Sequence, residues 1–192
     1  MANMPPENMT ILIGFLSKLG LAPETIEVSI PSFKSLSLNA EHVLLTQNTE
    51  QKYGYFILSG ILRACHFGEQ GAERCKEFYF SGELCFLYRS WLTCESAQYQ
   101  IETLGKACVV QIPLSLLTEP QWLPVQLSLL KQQLLFKEQK EAFLLLKTPE
   151  QRYKHLTNNW PLWIEKLNNI QLASYIGISP VSLSRLKSRL LG

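Results

Sequence analysis

Apolar positions follow three different rhythms along this chain. In TILIGFLSKLG, Ile11, Phe15 and Leu19 fall at helical spacing and the pattern stops at Gly20. This predicts one or two short helices over residues ~10–30, with Pro31 breaking the run. From Ser35 to about Pro113 the rhythm shortens. HVLLTQ, YGYFILSGILRACHF, CKEFYF, YQIETL and KACVVQIP are rich in aromatic and β-branched residues, and Gly54, Gly60, Gly68, Gly71, Gly82 and Gly105 punctuate them. Many short strands with glycine turns and no long helix between them predict an antiparallel sandwich or jelly roll.

The third rhythm runs over residues 119–147, EPQWLPVQLSLLKQQLLFKEQKEAFLLLK, the longest helical pattern in the chain. Pro120 and Pro124 fit only near its start, so the regular helix is expected from around Pro124. Leu123, Leu127, Leu130 and Leu134 step by 4, 3 and 4, a seam of coiled-coil type. Val125, Leu129, Phe136 and Phe143 form a second stripe on roughly the opposite side. Both faces need cover. The simplest arrangement packs one on the chain's own β domain and the other on the same helix of a second copy, with burial inside one subunit as the alternative. After Thr148-Pro149 come short helical patterns of a small helical domain. The expected organisation is a β-roll with N-terminal helices over 1–118, a dimerisation helix over 119–147 and a helical domain over 148–192.

Composition then removes function classes. The chain has 192 residues, 46% of them apolar, and a mean hydropathy of +0.02, as in soluble globular proteins. No apolar run approaches the ~18 residues that span a membrane. The first residues, MANMPPENMTILIGFLSKLG, lack a basic region and a small-residue cleavage pattern, so a cytoplasmic protein is expected. The five cysteines, Cys65, Cys75, Cys85, Cys94 and Cys108, contain no CxxC and read as small apolar residues in strands, with an iron–sulfur or redox role the weaker reading. His42, His66 and His155 show neither HxH nor HExxH spacing, and the chain contains no aspartate. A cupin-like metalloenzyme is therefore disfavoured, and no catalytic residue, metal or cofactor is expected.

Charge is informative once divided. Residues 1–146 carry 11 Lys and Arg against 14 Glu, a net of −3. Residues 147–192 carry Lys147, Arg152, Lys154, Lys166, Arg185, Lys187 and Arg189 against Glu150 and Glu165, a net of +5. A basic module on a mildly acidic body suits a polyanionic partner.

The last stretch, NIQLASYIGISPVSLSRLKSRLLG, states how that partner would be met. Helices over 169–176 and 180–190 would enclose a turn. Leu172, Ala173 and Ile176 face inward, with Ala173 at a helix crossing that a larger side chain would force apart. Gly177 suits a residue of positive φ after the first helix, Ile178 plugs the turn, and Ser179 is a good N-cap. Pro180 falls at the first helical position, where its missing N–H costs nothing. Leu183, Leu186 and Leu190 return to the core. Val181, Ser182, Ser184, Arg185, Lys187, Ser188 and Arg189 stay off that stripe. Arg185 is the best candidate for a guanine edge; Ser179, Ser182, Lys187 and Arg189 suit phosphates. Val181 and Ser184 complete the candidate DNA-binding set.

The order of strand-rich domain, long helix and terminal helix-turn-helix resembles the Crp–Fnr (catabolite activator and fumarate–nitrate regulator) family of bacterial transcription factors. YFILSGILRACHF resembles that family's second strand–turn–strand, and RYKHL with QLASYIGISPVSLSRLKSRL resembles its DNA-binding domain. The resemblance implies an α+β fold: an antiparallel β-roll (jelly roll) of cyclic-nucleotide-binding type, a dimerisation helix, and a C-terminal helix-turn-helix with the wing short or missing. It implies a homodimer on double-stranded DNA, and leaves open whether there is a small-molecule effector. Nucleotide-binding members carry a Gly-Glu pair for the ribose and an Arg-Ser or Arg-Thr about ten residues later for the phosphate. Aligned on its flanking strands, this chain has Phe86-Leu87 and Ala97-Gln98 there. Reading Gly82-Glu83 as the pair leaves Cys94 near the arginine position, and Arg89 stands at the wrong distance. Usual cAMP binding is therefore not expected from this degenerate cassette. No cysteine precedes Cys65, so the family's N-terminal cluster motif is absent too, and Pro180 and Val181 replace charged base-reading residues. A sensory or scaffolding roll whose helical tail binds protein is the alternative function.

Overall fold

The computed structural model describes residues 5–69 and 73–191, the side chain of Leu191 excepted. Two compact units result, Met1–Lys131 and Gln132–Gly192.

The first unit opens with α1 (Pro6–Lys18) and α2 (Pro23–Ser29), each with a proline at its start, where no backbone donor is lost. Among the described residues eight strands follow: β1 (Lys34–Leu38), β2 (Val43–Leu45), β3 (Tyr53–Ser59), β4 (Leu62–Phe67), β5 (Glu73–Tyr79), β6 (Leu84–Cys85), β7 (Gln100–Thr103) and β8 (Ala107–Pro113). They form two antiparallel four-stranded sheets, ordered β1-β8-β3-β6 and β2-β7-β4-β5. Tyr55, Ile57, Leu62, Ala64, Ile101 and Val109 share one buried cluster, which fills the roll with apolar side chains. Phe56, Val110 and Ile112 join a second cluster with Leu12, Leu16 and Ile26 of the two helices. Cys65 and Cys85 are fully buried, as small apolar residues would be.

Two details depart from the sequence pattern. Gly54 is not a turn residue. It lies within β3 opposite Ile112, and a Cβ there would sit 3.3 Å from the Leu114 side chain. Its lack of a side chain serves packing. A short helix, α3 (Tyr88–Thr93), interrupts the strands; six residues are too few to show a helical period, and it ends on Cys94 at φ 57°. Gly71 lies outside the described residues.

The long helix, α4, spans Leu123–Leu146. Its first half is divided as its sequence is. Val125 and Leu129 are buried in the first unit's core beside Trp122, and Ser128 Oγ donates to the Leu19 carbonyl at 3.0 Å. Leu123, Leu127 and Leu134 are about half exposed or more, at 51%, 49% and 62%, with Leu130 half-buried. That seam is left only partly covered by the described chain.

The second unit contains the rest of α4, then α5 (Pro149–Asn159), α6 (Pro161–Lys166), α7 (Asn169–Ile176) and α8 (Pro180–Leu191). Both α5 and α7 begin with reciprocal capping boxes, Thr148 with Gln151 and Asn168 with Gln171, so each satisfies two orphan backbone donors. Phe143, Leu156, Leu167, Leu172, Ala173, Tyr175, Ile176, Leu183 and Leu186 are its buried apolar residues. No helix among the described residues is long and apolar enough to cross a membrane, and none of them group as metal ligands.

Gly60 and Gly82 separate two costs of a side chain. Both have positive φ, 92° and 88°, yet a Cβ on Gly60 would lie 2.6 Å from the Lys106 carbonyl, whereas nothing stands within 4 Å of one on Gly82. Gly82→Ala should cost about 1–2 kcal/mol through backbone strain alone. Gly60→Ala adds a clash with fixed backbone and should cost at least about twice as much; urea unfolding of the two variants checks the ratio.

Candidate nucleic-acid interface

In the second unit α7 and α8 form a helix-turn-helix whose turn is set by backbone chemistry. Gly177 ends α7 at φ 77°, where a Cβ would be strained, and the Ile178 N–H returns to the Ala173 carbonyl at 3.0 Å. Ala173 is fully buried where the helices meet. Ser179 Oγ then accepts the Ser182 N–H at 3.1 Å and shares a 2.8 Å hydrogen bond with the Ser182 hydroxyl, which caps α8.

The cap aims α8. Leu183 and Leu186 are buried and Leu190 is half-buried, so one face of the helix is closed. Val181, Arg185 and Ser188, spaced by four and three, fall on the opposite line, and all three are exposed. Ser184 and Arg189 flank them in solvent, and Ser188 Oγ donates back to the Ser184 carbonyl at 3.2 Å. Arg185 is exposed and has no ion pair among the described residues, so nothing there occupies its five donors in an ion pair.

The basic residues of this unit are not equivalent. Lys187 is half-buried: its Nζ donates to Asn169 Oδ1 at 2.5 Å and stands 5.5 Å from the Tyr153 ring. Lys154 pairs with Glu150 at 2.8 Å, which lowers the Glu150 pKa, and Lys166 pairs with Glu165 at 2.6 Å. Arg152 does a structural job that its place in a basic segment concealed. Its Nε donates to the Lys147 carbonyl at 3.0 Å, Nη1 to Ile176 at 2.7 Å and Nη2 to Leu144 at 2.5 Å. These are carbonyls from the ends of two helices, α4 and α7, that lack intrahelical partners. A cation soon after the Thr148 capping box, one turn beyond the end of α4, was the available signal.

The degenerate cassette sits in the first unit. Phe86, Leu87 and Ala97 are 0%, 2% and 0% exposed and belong to the packed interior. The Phe86 ring packs 4.3 Å from Tyr88 and 5.7 Å from Trp91. Gln51 closes the backbone of Leu87 from both sides, accepting its N–H at 2.6 Å and donating to its carbonyl at 3.0 Å. Ala97 exchanges backbone bonds with Asn48 and Thr49. The polar members of the set are elsewhere. Arg89 is exposed and pairs with Glu95 at 2.6 Å; Gln98 is exposed, its carbonyl bonded to His66 Nδ1 at 2.9 Å. Glu83 follows Gly82 at the surface, where neighbouring chain desolvates its carboxyl and raises its pKa against the opposing pull of the Phe80 N–H at 2.9 Å.

No protein-family model and no curated protein matches the sequence. Solved structures do match. FixK2 of Bradyrhizobium japonicum is 16% identical at a TM-score of 0.67, over 82% of this chain and 84% of its own. The c-di-GMP-responsive global regulator CLP of Xanthomonas campestris is 15% identical at 0.64, over 88% and 92%. The catabolite activator protein of Thermus thermophilus is 23% identical at 0.51, over 90% and 84%. The fold is that of the Crp–Fnr regulators. In this chain the roll is filled by apolar side chains at Phe86, Leu87 and Ala97, and the helix-turn-helix has a turn glycine, a small buried residue at the crossing and a cap.

Arg152→Met should leave three helix-end carbonyls without their charged donor and cost on the order of 2–3 kcal/mol. Lys154→Met removes only an exposed i,i+4 pair and should cost under about 0.5 kcal/mol. Thermal unfolding of the two variants compares them.

Proposed function

We propose that this chain is a transcription regulator that binds duplex DNA as a homodimer, with α8 as the recognition helix. The observation that carries the reading is the exposed Val181–Arg185–Ser188 line opposite the buried leucines of a capped, glycine-turned α8. A helix so presented fits a major groove. Arg185 can donate twice to guanine O6 and N7, and Val181 offers an apolar surface to a thymine methyl. Ser179, Ser182 and Arg189 lie where phosphates flank the groove, at the N-terminus and along the side of α8; Ser184 stands beside the base-reading line. Lys187, held by Asn169, adds positive potential more than a mobile phosphate grip.

Dimerisation would use the partly covered seam of Leu123, Leu127, Leu130 and Leu134, since half-exposed leucines at coiled-coil spacing lose water when they meet their symmetry mates. The roll would not hold cAMP in the usual way. The aligned positions offer Phe86, Leu87 and Ala97, with no carboxylate for a ribose hydroxyl and no guanidinium for a cyclic phosphate.

Fluorescence anisotropy with DNA from upstream of the chain's own gene tests the DNA reading. Arg185→Ala should weaken specific binding roughly tenfold or more, and wild-type affinity should fall steeply as salt rises. Absence of DNA binding even at low salt would support a protein-binding tail instead. In sedimentation equilibrium, the Leu127→Glu/Leu134→Glu double variant should be monomeric at concentrations where the wild type is dimeric.

A further inference from the structure

The second unit contains a cavity of about 730 Å³ lined by residues of α4, α5 and α7 and by Lys147 and Trp160, with none from α8. Phe136 and Phe143 of α4, Trp160 and Tyr175 give it aromatic walls. Those walls are fixed by a run of ring contacts: Phe143 to His155 at 5.5 Å, His155 to Trp160 at 5.4 Å edge-on, and Phe143 to Tyr175 at 6.2 Å. Behind them Trp163 stacks on Trp160 at 5.3 Å and meets Tyr175 edge-on at 4.7 Å. Two of the wall residues, Phe143 and Tyr175, are almost fully buried, so this face is held by the domain's own core.

The charge of the lining has one sign. Lys140 and Lys147 line the cavity and no carboxylate does. Lys140 Nζ stands 4.1 Å from the centre of the Tyr175 ring and 5.9 Å from that of Phe136, so the cation lies against the aromatic wall. Asn159 Nδ2 lies 3.1 Å from His155 Nδ1; with that nitrogen accepting, Nε2 carries the proton and is a donor. A volume of this size lined by aromatic rings and a few polar and cationic residues has the attributes of a small-molecule site. A flat π-surface would stack between the rings, and an acidic substituent would meet the ammonium groups.

We propose that this cavity is a binding site for a planar aromatic carboxylate. None of its lining residues belongs to α8, and the site does not depend on the DNA-binding reading. Its occupant would touch Tyr175, and so α7, the first helix of the helix-turn-helix.

Isothermal titration of the full chain with 2-naphthoate tests the proposal, with 2-naphthamide as the uncharged isostere. Saturable one-to-one binding is expected, weakened roughly tenfold or more in Lys140→Met and for the amide, as loss of a charge-assisted contact requires. Ala142→Trp, which fills the cavity from the exposed side of α4, should abolish it, with circular dichroism verifying that the variant folds. Arg89→Ala, in the first unit, should change nothing. No saturable heat at millimolar naphthoate, undiminished binding in folded Ala142→Trp, or equal affinity for the amide overturns the proposal. Anisotropy with DNA on the same preparations reports separately on α8, so failure of the one reading is distinguishable from failure of the other.

Discussion

The Arg152 guanidinium fixes the geometry on which the second unit depends. A helix end exposes carbonyls with no partner, and here the ends of α4 and α7 present theirs to one side chain. A planar group with five donors can answer three carbonyls at once, and its positive charge also suits the negative ends of both helix dipoles. Lysine has neither the fork nor the reach. With the Ile176 carbonyl held, Gly177 turns the chain at positive φ, Ser179 caps the next helix, and the direction of α8 is set. Two arginines of one basic segment thus differ: Arg152 gives its donors to helix-end carbonyls, while Arg185 stays exposed.

The roll answers a different constraint. A pocket for a charged nucleotide needs carboxylate and guanidinium side chains pointing inward, and each costs desolvation energy unless its ligand is present. Here the aligned positions carry Phe86, Leu87 and Ala97, which join the packed interior, and the backbone around them is sealed by Gln51, Asn48 and Thr49. The polar residues nearby, Arg89 and Glu83, remain at the surface. Such a roll gains a continuous core at these positions.

Much of this was legible before the coordinates, and for identifiable reasons. The helix-turn-helix was readable because its constraints are local: a glycine that must adopt positive φ, a serine followed by proline at a helix start, leucines three and four apart. The two faces of α4 were readable because helical periodicity is long-range within one element. What stayed hidden was non-local. That Arg152 faces carbonyls of two other helices, and that Lys187 is held by Asn169 eighteen residues away, depends on how helices pack. Gly54 was mistaken for punctuation because a packing glycine and a turn glycine look alike in sequence. The aromatic cavity gathers Phe136 of α4, Trp160 between α5 and α6, and Tyr175 of α7, a convergence with no spacing signature.

The central claim is that α8 reads duplex DNA in two symmetry-related copies. Selection of bound fragments from a random duplex pool, followed by sequencing, tests it most directly. The account predicts an inverted repeat whose half-site centres lie one helical turn, about 34 Å, apart, with a conserved G·C pair in each half. Enrichment of no sequence, or of a single half-site without a symmetric mate, would contradict it.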